Sequence, residues 1–183
     1  NDDLWTMLDK QKQAGKIRHL AISLAGNEDS YQTDKATEVG AEAIQVVYNR
    51  LDRAPEEKIY PSAINQDLGV LARVPLASGY LSGKYKPGST FEENDVRSRH
   101  DRDKTDRLLR IVEEIARHEV PEGVNMASWA LAWCLKHNAV TTVIPGCKNR
   151  EQVISNARAA DLDIVSEKHP QAKSIILYKI VSI

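Results

Sequence analysis

Residues Val140 to Asn156, VTTVIPGCKNREQVISN, decide the fold class. Thr141, Thr142, Val143 and Ile144 are all β-branched, which predicts a short strand covered on both faces. Pro145 removes a ladder donor and Gly146 frees the backbone, so the strand stops there. Asn149 can then cap a helix carrying Glu151, Gln152, Val153, Ile154 and Asn156. Free amides at a helix N-terminus, a neighbouring Gly and the cations Lys148 and Arg150 make this turn a place for a phosphate. The same spacing also serves as one more structural strand-turn-helix of an α/β protein, and taken alone it leaves both readings open.

Composition bounds the answer. With 183 residues, 42% hydrophobic and 28% charged, the chain can bury the core of one domain. A formal net charge of −1 gives no reason to expect nucleic acid or an anionic membrane as the main partner. The two cysteines, Cys134 and Cys147, have neither metal-ligand spacing nor a second pair, so no metal site is expected. That usage fits a reducing cytoplasm better than a disulfide scaffold. No apolar run reaches membrane-spanning length and no signal peptide leads the chain. The first residue is Asn1 and a helix starts almost at once, as expected of a chain that begins partway through something larger.

Upstream of the opening stretch, strands and helices alternate. Asp2 or Asp3 caps a helix with the apolar face Leu4, Trp5 and Leu8, ending at Gly15 after a basic last turn. Leu20–Leu24 reads as a strand, Tyr31–Val39 as a helix, and Ala43–Tyr48 as a second strand with Gln45 as a polar intruder. A helix from Pro55 to about Asp67 precedes a third strand at Gly69–Val74. Helical patterns return at Thr105–Glu119 and Asn125–His137. Such alternation predicts parallel βαβ units with ligands at the strands' carboxyl ends. About four strands are present by pattern, against eight in a closed parallel barrel.

The stretch from Pro75 to Asp106 is the longest irregular segment, and loops of that length are usually functional or disordered. Its Lys84, Lys86, Arg97, Arg99 and Arg102 are of a type that pairs with phosphate, beside enough acids to be merely solvated. Tyr80 and Lys84 have the Tyr-x-x-x-Lys spacing of one dehydrogenase class. That arrangement needs a helix, and Gly79 and Gly83 argue against one. Asp101, Asp103 and Asp106 resemble a calcium-loop fragment but lack the Gly and terminal Glu it requires.

Six ordered blocks carry a family resemblance: GKIRHLAIS (15–23), AIQVVYNRLDR (43–53), GVLARVPLASGYLSGKY (69–85), ENDVRSRHDRD (93–103), ASWALAWCL (127–135) and VIPGCKNREQVISN (143–156). In order and spacing they resemble aldo-keto reductases, from the first helix to Lys168. The resemblance implies a (β/α)8 TIM barrel that binds a nicotinamide cofactor, usually NADPH, across its C-terminal face and reduces aldehydes and ketones. The expected fold is therefore α/β, a partial barrel. Residues 1–168 form its second half, with about four parallel strands and flanking helices, and 169–183 form an atypical apolar tail.

By that resemblance, Ser23 and Gln45 pair with the nicotinamide carboxamide. A lone Gln in an apolar strand needs a polar partner in any case. Arg73 occupies the place of a residue, often aromatic, that packs on the nicotinamide ring, where its planar guanidinium can stack. Val74, Pro75, Leu76, Ala77, Ser78 and Lys84 are similar to the segment that wraps the pyrophosphate, and Arg97 to an arginine of the covering loop. Gly146, Lys148, Gln152 and Asn156 match positions around the adenosine 2′-phosphate and adenine. A cation at Lys148 favours NADP over NAD.

Leu24 stands where the family often has Asn, which removes one expected cofactor contact. After Lys168 the run SIILYKIVSI departs from the family's usual ending and is suited to pairing with an open sheet edge. The family's catalytic Tyr, Lys, Asp and His come from the first half of the barrel, and none of those motifs is in this sequence. No catalytic residue is expected among the residues present, His19, His100, His118 and His137 included. Two functions remain in view. One is an NADPH-dependent reductase of small carbonyl compounds to which this chain supplies most of the cofactor site. The other is an inactive half-barrel serving as a nucleotide-binding or structural, oligomerising module. Either requires self-association or a missing N-terminal half to cover two open edges.

Overall fold

Four parallel strands, β1 (Ala21–Ser23), β2 (Ala43–Val47), β3 (Gly69–Arg73) and β4 (Thr142–Ile144), form one sheet in the order β1-β2-β3-β4. The structure is a computed structural model that describes residues 2–27 and 29–165. The apolar tail expected at 169–183, and the end of the expected domain at 168, lie outside the described residues. Each strand is followed or preceded by helix: α1 (Asp2–Gln13), α2 (Tyr31–Asp34), α3 (Ile59–Asn65), α4 (Arg102–His118), α5 (Met126–Leu135) and α6 (Arg150–Arg158). None of these helices is long and apolar enough to cross a membrane.

Period-two burial in the two central strands separates a core face from an open face. Ile44, Val46, Val70 and Ala72 are fully buried, while Ala43, Gln45, Val47, Gly69, Leu71 and Arg73 are half-buried on the other face. The core face packs on α5, a helix apolar except for Ser128 in which eight of ten residues are buried, Trp129 and Trp133 among them. Helix α4 presents Thr105, Leu108, Leu109, Val112 and Ile115 to the same core at helical spacing. It starts a turn before the expected Thr105 because the Asp101 carboxylate accepts from the Lys104 amide at 2.7 Å. Asn125 caps α5 in the same way, through Ser128 N at 3.1 Å.

Three expectations need correction. The β4 strand is not covered on both faces: Thr142 and Ile144 are exposed, because the register sets them beside Leu71 and Arg73 on the open face, in a strand that pairs only with β3 in the described residues. The helix expected over 31–39 breaks into α2 and a 3-10 turn at Thr37–Val39, since the Ala36 amide turns back to Thr33 O and Gly40 takes a left-handed conformation. Of the expected α1 face, Trp5 and Leu8 are half-buried, but Leu4 is exposed together with Met7.

A buried polar network fastens the connection after β2 to α5. The Arg53 guanidinium donates to both oxygens of Glu56 at 2.8 and 2.6 Å and lies 5.5 Å from the centroid of the Trp133 ring. The Tyr48 hydroxyl donates to Glu56 Oε1 at 2.7 Å, and burial pushes its ionisation far above the ordinary range. Arg50 is held likewise by Glu119 at 2.8 and 2.6 Å, tying the same connection to the end of α4. Neutralising the Glu56 carboxylate weakens the charge-assisted bonds that it accepts from Arg53 and Tyr48 in a dry site. Glu56→Gln is therefore expected to lower the unfolding free energy by about 1.5 to 3 kcal/mol, read from the midpoint of urea denaturation.

Candidate functional site

The carboxyl ends of the strands gather the polar residues of the open face. Parallel register sets Ser23 beside Gln45, Val47 beside Arg73, and Arg73 beside Ile144, two residues before Gly146. Gln45 Nε2 donates to Ser23 Oγ at 3.0 Å. That bond leaves the Ser23 hydroxyl hydrogen as a donor and Gln45 Oε1 as an acceptor, side by side. From β3 the Arg73 side chain reaches back across β2, bringing Nη2 to 3.5 Å from the carbonyl oxygen of Leu24. Its Nε is buried and has no hydrogen-bond partner among the described residues.

The segment leaving β3 is strained. Among the described residues the left-handed positions outside glycine are Asp67, Val74, Ala77 and Ser78, three of them here, with φ of +55°, +48° and +55° at Val74, Ala77 and Ser78. A β-branched residue seldom adopts that conformation, and such outliers cluster at ligand sites. Asn49 Nδ2 and the Ala77 amide both donate to Val74 O, at 3.1 and 2.9 Å, and hold the bend. Pro75 is buried and Leu76 half-buried, so these two anchor the segment, while Val74 and Ser78 are exposed.

Arg97 stands over this segment. Its Nη1 lies 3.4 Å from Ser78 O, and its guanidinium stacks on Tyr85 and Phe91 at 4.3 and 4.8 Å from the ring centroids. Gly79 makes the approach possible: its φ is +89°, and a Cβ there would stand 3.2 Å from Arg97 Nη1. Asp95 accepts from Arg97 Nε at 2.8 Å and also from Nη2. Those bonds hold the Asp95 carboxyl well below the usual carboxylate range, and the nearby positive charge of Lys148 pulls it down further. Loop 95–97 and the turn after β4 thus share one electrostatic neighbourhood. Lys84 is exposed, with Nζ 5.6 Å from the Tyr85 centroid.

At the other end, Asn149 caps α6 by accepting from Gln152 N at 2.9 Å. Gln152 Oε1 accepts from the Lys148 amide at 2.7 Å, and Asn156 Nδ2 points at Cys147 Sγ at 3.2 Å. The fourteen candidate residues therefore fall into three groups along one rim: Ser23, Gln45 and Arg73; residues 74–78 with Lys84 and Arg97; and Gly146, Lys148, Gln152 and Asn156. Gly146 needs no special backbone angle, and a Cβ on it would meet no atom within 4 Å, so the space beside it is open. Residues the sequence did not single out are Asp95, Tyr85, Phe91 and Asn49; only the Asp-x-Arg spacing of 95–97 hinted at one of them.

The four histidines of the described residues stand elsewhere. His19 and His137 precede the amino ends of β1 and β4, and His118 ends α4 beside Glu114. His100 Nδ1 lies 2.8 Å from the Tyr80 hydroxyl under the long loop. No group of three or more His, Cys, Asp or Glu among the described residues is arranged to hold a metal ion.

Comparison with known proteins matches this arrangement to one family. The profile of the Aldo/keto reductase family covers residues 1–177. L-glyceraldehyde 3-phosphate reductase of Escherichia coli (strain K12) is 32% identical over 163 residues, covering 80% of this chain and 45% of that protein. A probable voltage-gated potassium channel subunit beta of Arabidopsis thaliana is 32% identical over 135 residues, covering 70% of this chain and 41% of that protein. The uncharacterized oxidoreductase YrpG of Bacillus subtilis (strain 168) is 27% identical over 91% of this chain and 51% of its own. The holo form of aldo-keto reductase AKR11C1 from Bacillus halodurans superposes with a TM-score of 0.65 at 24% identity, over 94% of this chain and 53% of that one, which establishes the fold. The chain spans about half the length of the relatives it matches.

The strain at Val74 has a measurable counterpart. Val74→Gly relieves a left-handed valine that costs about 1 to 3 kcal/mol and adds roughly 0.5 to 1 kcal/mol of unfolded-state entropy. A net gain of about 1 kcal/mol in unfolding free energy is expected from urea titration, although an apolar side chain is lost.

Proposed function

The chain belongs to the aldo/keto reductase family, a family of oxidoreductases, and on that footing we propose that its strand ends bind NADPH for the reduction of an aldehyde or ketone. The observation that carries the reading is the alignment of Ser23, Gln45, Arg73 and the open space at Gly146 along four neighbouring strands. The donor and acceptor left free by the Ser23–Gln45 bond complement the carbonyl and amino groups of a carboxamide. Arg73, with a buried donor still to be satisfied, borders the same spot. The strained backbone at 74–78, with Arg97 over it and Lys148 in the neighbourhood of Asp95, suits a pyrophosphate and a ribose phosphate. These residues fit the cofactor.

When bound, the nicotinamide supplies a hydride to the carbonyl carbon. The work of this chain is to hold and orient. Ser23 and Gln45 fix the carboxamide, Arg97 closes over the phosphates while shielded by Tyr85 and Phe91, and Lys148 selects a phosphorylated ribose. The proton for the developing alkoxide comes, in this reading, from a group outside the candidate residues.

Titrating the chain with NADPH by fluorescence and assaying a generic aldehyde tests the reading. Binding without turnover is expected, and Lys148→Glu is expected to weaken NADPH at least about tenfold while leaving NADH within about twofold. Absence of binding overturns the cofactor reading in favour of a purely structural module. Turnover by the chain alone overturns the placement of the proton donor.

The sheet edges favour a second element of the reading. In the described residues β1 pairs only with β2 and β4 only with β3, so each has an outer edge with unused ladder groups. We propose that a further four-strand half closes the ring, supplied by the same polypeptide or by a second copy. With a second copy, an axis along the strands would set β4 of one beside β1 of the other, parallel at both seams. Sedimentation of the 20.5 kDa chain at micromolar concentration is expected to show association, and a clean monomer overturns closure by a second copy.

A further inference from the structure

Four arginines of the described residues are buried or half-buried: Arg50, Arg53, Arg73 and Arg97. Three of them face a carboxylate, Glu119, Glu56 and Asp95 respectively. Arg73 does not. Among the described residues it has no ion-pair partner; its contacts are a long Nη2 approach to Leu24 O at 3.5 Å and a buried Nε with no acceptor. A half-buried guanidinium with no carboxylate against it keeps its full charge and imposes it on whatever lies beside it.

What lies beside it is the Ser23–Gln45 pair. Leu24, whose carbonyl oxygen the guanidinium approaches, follows Ser23 directly, and its amide donates to Gln45 O at 2.8 Å. A ring whose carboxamide is gripped by Ser23 and Gln45 therefore rests within reach of the Arg73 cation. A nicotinamide ring changes charge with its redox state: the oxidised pyridinium is a cation and the reduced dihydropyridine is neutral. The uncompensated guanidinium repels the first and leaves the second unpenalised.

We propose that Arg73 makes the site discriminate between the redox states of the cofactor, holding NADPH more tightly than NADP+. The inference rests on the cofactor reading above and goes beyond it, because binding of either form would be satisfied by Ser23, Gln45, Lys148 and the phosphate segment alone. By the linkage of binding to redox state, the bound couple is a weaker hydride donor than the free one, and the oxidised product leaves readily.

The test measures dissociation constants of NADPH and NADP+ for the full chain at low ionic strength, by tryptophan quenching and calorimetry. Two unit charges about 4 Å apart repel enough, even with the screening of bulk water, to shift the ratio of the two constants by at least about fivefold. The chain is expected to prefer NADPH, Arg73→Met to erase that preference by at least this factor, and Arg73→Lys to keep most of it. Adenosine 2′,5′-bisphosphate, which lacks the nicotinamide, is expected to bind all three chains alike, which reports an intact fold. A ratio unchanged in Arg73→Met overturns the inference while leaving the cofactor site standing. Failure of the unsubstituted chain to bind either dinucleotide overturns the underlying cofactor reading instead.

Discussion

Parallel register is the constraint on which this molecule depends. A slip of β3 by one residue against β2 would turn Arg73 from the open face to the core face and drive Val70 and Ala72 the other way. The four fully buried side chains of these strands, packed on α5, make that slip costly, so hydrophobic burial on one face fixes polar chemistry on the other. The Thr141 hydroxyl reinforces the last pairing by accepting from the Val70 amide at 2.9 Å, where the ladder is only three residues long.

Around that frame the chain spends stability at the rim and recovers it in the interior. Strained angles at Val74, Ala77 and Ser78 sit directly after the most buried part of β3, where Pro75 and the Asn49 side chain prevent relaxation. The arginines divide by the same logic. Arg50 and Arg53 are locked by carboxylates and the Trp133 ring inside the fold, and their charge is cancelled. Arg97 is stacked and paired yet still faces the rim, whereas Arg73 stays uncompensated.

Much of this was legible in the sequence, for reasons of chemistry. A polar Gln45 within an apolar run had to find a polar partner, and it did so in Ser23 of the neighbouring strand. Asn149 before a periodic segment foretold the cap that the structure contains. The family resemblance supplied the barrel that four strands could not. What stayed hidden was whatever depends on three-dimensional neighbours. The β-branched run at 141–144 speaks of strand but not of which face stays open, so the exposure of Thr142 and Ile144 could not be inferred. Nothing in the residue type of Val74 announces a left-handed angle, which is imposed by the contacts of Asn49 and Pro75. Asp95 looked like one more acid in a charged loop, and only folding brought it to Arg97 and the field of Lys148.

The spacing of the strands along the chain bears on the order in which the rim is assembled. Ser23 and Gln45 are separated by 22 residues, whereas the contact of Val70 with Thr141 spans 71. In the flexible-chain limit, closing the longer loop costs about 1 kcal/mol more entropy, and the two helices between β3 and β4 must already be docked to bring the ends together. The Ser23–Gln45 end of the rim is thus the early, local product of folding. The opposite end, with Gly146 and the cap of α6, is its last, so a partly unfolded chain loses the turn after β4 before it loses the Ser23–Gln45 pair.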